Sequence, residues 1–153
     1  MDIASALLAY LDTDTADAAN DPQGLAKLLQ GFESGERRAA LELLAAAALD
    51  DGTLSESERA MLDRHGSGGA ADEVRRALET VQAAMPFQGD GARRRFLADR
   101  ADLVRATPDR EKLLGACVAV LEAAGAPNLE ARCLIFASAL GLSDAALARA
   151  RLR

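Results

Sequence analysis

The chain has little that is aromatic and little that is reactive. It has no Trp, one Tyr and four Phe among 153 residues. A core with few large rings must be filled chiefly by Leu and Ala, which suits closely packed helices. A single histidine, His65, cannot form a histidine metal cluster, and no Ser–His–Asp set stands out. Two cysteines without a CxxC pattern argue against a zinc or dithiol redox site. No apolar run is long enough to cross a bilayer. The N-terminus, "MDIASALLAYLDTD", has no basic region and does not read as a signal peptide, so a cytoplasmic location is the default expectation. Positive charge is the minority: 18 Lys and Arg stand against 24 Asp and Glu, a net charge of −6. Such a surface repels phosphate backbones, so nucleic acid is not an expected partner.

What is present is helical. Ile3, Leu7, Tyr10 and Leu11 form one apolar stripe, and Leu25, Leu28, Leu29 and Phe32 another. Leu41, Leu44, Ala45 and Ala48 form a third, and Val74, Ala77, Leu78, Val81 and Met85 a fourth. Each follows the helical spacing of three and four residues. Cys117 sits with Leu114, Val118 and Leu121, and Cys133 with Leu129, Phe136, Ala137 and Leu140, so both thiols read as small core residues. The basic run "ARRRF" (92–96) reads as the solvated face of a helix whose apolar side is Phe96, Leu97, Ala101 and Val104. No alternating strand pattern is convincing.

The punctuation agrees with the stripes. Asp21–Pro22, Thr107–Pro108 and Ser143–Asp144 each resemble a helix cap followed by a first helical residue. Gly141 stands where a helix would stop. Short loops separate the helices: "TDTADAAND", "GSGGA" and "PFQGDG". The expected fold is a single all-α domain over 1–153, a bundle of roughly eight helices. Two loops that invite a ligand fail the test. The acidic stretch from Asp12 to Asp21 lacks the calcium-loop spacing, and "GSGG" (66–69) is not followed by Gly-Lys-Ser/Thr.

The informative stretch is "DDGTLSESE", residues 50–58. With Gly52 at position 6 of a calcium loop, Asp51, Leu54, Ser55 and Glu58 take positions 5, 8, 9 and 12. Positions 1 and 3 would be Ala47 and Leu49, which cannot ligate, so the motif is half a loop. A structural reading competes. Gly52 ends the preceding helix, and Ser55 with Glu58 forms a capping box for the next. If an ion binds, Asp50, Asp51 and Glu58 are its carboxylate ligands, and hard oxygens suit Ca²⁺ or Mg²⁺.

The segment "LLAAAALDDGTLSESERAML" resembles the signature of the TerB-like family, the tellurite-resistance TerB proteins, whose relatives include domains of some DnaJ-like membrane co-chaperones. The resemblance implies an all-helical fold built on two related helix-turn-helix elements. It also implies an acidic patch that binds a divalent cation, and a non-enzymatic role in tellurite or metal stress. It spans roughly 36–152; residues 1–32 add helices without a counterpart. The second element would lie at 113–144. The register that places Asp51–Gly52 on Ala124–Gly125 carries Ser55 to Asn128, a second cap, and Met61 to Leu134. This second turn departs from the pattern. Ala124 replaces the acid, Ala131 replaces Glu58, and Glu130 lies one residue out of register, about 100° around the helix. The implied partners are other proteins, either with a weak ion at the first turn or as a metal-free interaction module.

Overall fold

The computed structural model describes residues 31–49, 69–84, 87–124 and 128–152. Those residues form six helices and no strand: α1 (Ser34–Ala48), α2 (Gly69–Ala84), α3 (Asp90–Ala101), α4 (Thr107–Ala124), α5 (Leu129–Ala139) and α6 (Asp144–Leu152). None is long and apolar enough to cross a membrane. The stripes at Ile3–Leu11 and Leu25–Leu29, the Asp21–Pro22 cap, His65 and Met85 lie outside the described residues.

Alanine explains the position of α1. Its run from Ala39 to Ala47 is buried on every side, because small side chains let neighbouring helices approach closely. It packs against α2, α3 and α4. α4 in turn packs against α5 and α6, and α3 reaches across to α5. The core therefore forms around α1 and α4. The stripe Leu114, Cys117, Val118 and Leu121 is buried as its spacing requires, and Leu113, Ala116 and Val120 bury a second side of α4. A helix apolar around most of its circumference belongs in an interior. On α2, Val74, Ala77, Leu78 and Val81 face inward. Leu97, Ala101 and Val104 are fully buried, and Phe96 packs at the edge of the core.

The helix ends follow local chemistry, with two corrections to the sequence reading. Gly141 has φ +70, and the Leu142 amide donates to the Ala137 carbonyl (2.9 Å) while the Gly141 amide donates to that of Ser138 (3.0 Å). This is a Schellman ending, and it needs the left-handed residue that glycine supplies at least cost. Ser143 caps α6 as expected, its Oγ accepting from the Ala146 amide at 3.2 Å. Thr107, by contrast, is the first residue of α4 and not its cap. The Ala106 carbonyl accepts the amides of Asp109 and Arg110, both at 3.1 Å. Pro108 permits the earlier start because its missing N–H falls among the amides that have no partner within the helix. Asn128 precedes α5 as expected, but its side chain makes no capping bond. Its backbone is left-handed (φ 53, ψ 48), away from the extended conformation that aims a capping oxygen at the first turn.

Arg110 ties these ends together. Its guanidinium donates to the carbonyls of Ala101 (3.0 Å), Val104 and Leu140 (2.9 Å). One side chain therefore serves the C-terminal ends of both α3 and α5, where carbonyls lack helical partners and a cation is favoured. Gly141 leaves room for it: a Cβ there would meet the Arg110 Nη1 at 3.3 Å.

Candidate functional site

The Asp51–Gly52 pair follows α1 in the sequence. That helix stops at Ala48 with Leu49 as its C-cap, ahead of Gly52, and the Leu49 amide donates to Ala45 at 2.8 Å. Leu49 and Ala47 are both fully buried in the core, in keeping with positions that supply no ligand. Asp50, Asp51 and Glu58, the candidate ligands, and Ser55, the candidate cap, lie outside the described residues. Among the described residues, no group of three or more His, Cys, Asp or Glu side chains is arranged to hold a metal.

The register that sets Asp51 on Ala124 would end the second element's first helix at Leu121, the counterpart of Ala48, but that helix runs three residues further. α4 ends at Ala124 and α5 begins at Leu129. Ala131 and Glu130 are both exposed on the first turn of α5, where Glu130 is the acidic residue. The two positions point in directions about 100° apart, so Glu130 does not occupy the place that Ala131 leaves without a carboxylate.

A cleft of about 530 Å³ opens between α1 and α2. Ser34, Gly35 and Arg38 form one wall, and Glu73, Arg76, Glu79 and Thr80 the other. At one side Arg37 joins the two helices, donating to Glu73 Oε1 at 3.1 Å and to the Phe32 carbonyl at 2.9 Å. Arg38 leans toward Glu42, with Nε 3.8 Å from Oε1. The cleft thus presents guanidinium and carboxylate groups together, so its walls select neither sign of ligand strongly.

Glu42 is the charged residue of the α1 core, 5% exposed. Its second oxygen lies 3.6 Å from Arg100 Nε on α3. Arg100 also lies over the Phe96 ring, 3.7 Å from the centroid, and donates to the Phe96 carbonyl at 3.4 Å. Phe96 in turn meets Phe87 at 5.2 Å between centroids, and Arg93 lies over Phe87. The basic run is therefore divided. Arg94 and Arg95 are solvated as expected, whereas Arg93 is half-buried against an aromatic ring. Guanidinium stacking on rings needs no external anion to account for it.

The two thiols are core residues. Cys117 and Cys133 are free and fully buried, on helices that pack together. Burial pushes the Cys117 thiol far above its usual range, and Cys133 adds to the shift. A thiol held protonated and out of water is a poor nucleophile and a poor metal ligand.

Sequence reading missed Arg110, the Arg37–Glu73 pair and the partner of Glu42. Only the last left a trace: one carboxylate inside the apolar run "ALELLAAAA" demands a cation, though nothing in the sequence says which. No protein-family model, curated protein or solved structure matches this chain significantly.

Proposed function

We propose that the chain is a non-enzymatic, cytoplasmic TerB-like domain, a helical scaffold for other proteins in a tellurite or metal-stress response. It carries at most one weak divalent-cation site, at the Asp-Gly turn of residues 50–52. The observation that supports this reading best is the consecutive helix pair α4 and α5. It overlaps residues 113–144, the segment that the resemblance gives as the second element.

The ion chemistry follows from the residues at the first turn. Asp50, Asp51 and Glu58 offer three hard carboxylates, which suit Ca²⁺ or Mg²⁺. Ca²⁺ takes about six to eight oxygens, so water and backbone carbonyls fill most of the shell and the affinity is low. Ser55 and Glu58 also cap the following helix, and without an ion that capping is their whole role.

A second reading, a metal-free protein-interaction module, draws on the second turn. Ala124 and Ala131 supply no carboxylate there, and Glu130 points elsewhere. On that reading the fold has outlived its cations.

A growth experiment tests the proposal. Deleting the gene should lower tellurite tolerance, the unaltered gene should restore it, and Asp51→Ala should fail to do so. Unchanged tolerance after deletion overturns the stress role. Full restoration by Asp51→Ala overturns the cation site and favours the metal-free module.

A further inference from the structure

We draw no further inference here: the strongest candidate, the outer face of α5, where Ala131, Leu134 and Ser138 are exposed and Ile135 half-exposed, is an unpartnered, largely apolar surface, and nothing in the structure shows what covers it.

Discussion

Replacing Arg110 by Met removes the guanidinium and keeps most of the aliphatic stem. Three carbonyls lose a charged donor. That of Ala101 keeps the Val104 amide at 3.0 Å, so Val104 and Leu140 bear most of the loss. Both residues are fully buried. A hydrogen bond from a charged group contributes about 1.5–3 kcal/mol. A cation at a helix C-terminus adds about 0.3–1 kcal/mol, here at two ends. Together these reach roughly 4–8 kcal/mol, and water entering beside the half-buried side chain returns part of it. The expected net loss is about 3–5 kcal/mol, a large share of the roughly 5–15 kcal/mol that holds a domain folded. Urea unfolding followed by circular dichroism measures it. With a slope of about 2 kcal/mol per molar urea, the midpoint should fall by about 2 M at unchanged slope. Arg110→Lys should recover only part, because one ammonium cannot serve three separated acceptors. Gly141→Ala supplies a cross-check. Its left-handed backbone costs about 1–2 kcal/mol with a side chain, and the 3.3 Å contact with Arg110 adds to that. The contact part should vanish in the Arg110→Met background, giving non-additive losses. A loss below about 1 kcal/mol for Arg110→Met would refute the bridging role assigned to this side chain.

Other consequences are as specific. Among the described residues, Arg100→Ala leaves the buried Glu42 with only the 3.8 Å ion pair to Arg38. It should cost about 2–4 kcal/mol, and adding Glu42→Leu should return much of that, as thermal unfolding of the single and double variants would report. Ser143→Ala removes the α6 cap and should cost about 1 kcal/mol by urea unfolding. Neither cysteine should react with a thiol reagent in the native protein, and both should react once it is unfolded, which mass spectrometry resolves. The raised Cys117 also sets a pH dependence. Below the ordinary thiol pKa, about 8.5, both states hold the proton and its contribution to stability is constant. Above that value the unfolded chain releases the proton while the native chain keeps it, so stability falls as pH rises. Cys117→Ala should flatten this alkaline slope.

Helix α2 was legible because it carries its own apolar periodicity. The stripe from Val74 to Val81 is buried as its spacing demands, and Gly141 and Ser143 act as their residue types suggest. Local chemistry carries that much. It did not distinguish Thr107 as a cap from Thr107 as a first helical residue, because Pro108 tolerates either position in the first turn. It also mistook Asn128, whose side chain suits a cap while its backbone takes the left-handed conformation that Asn also tolerates. Arg110 was invisible for a different reason. Its three acceptors are main-chain carbonyls, which every residue possesses, and their convergence arises only when α3 and α5 end side by side. The division of the "ARRRF" run is likewise tertiary, since Arg93 depends on where the loop places Phe87. The carboxylates of the candidate cation turn remain a reading of residue types and spacing, because Asp50, Asp51 and Glu58 fall outside the described residues.

The proposed cation site at Asp50, Asp51 and Glu58 has its most direct test in an amide NMR titration of the full chain, first with Ca²⁺ and then with Mg²⁺. Saturable shifts centred on residues 50–58, with a dissociation constant of about 1 mM or weaker, are the expected result, and Asp51→Ala should remove them. No shift at these amides at roughly tenfold higher ion concentration would contradict the account, leaving Ser55 and Glu58 as a helix cap and the domain as a metal-free binding module.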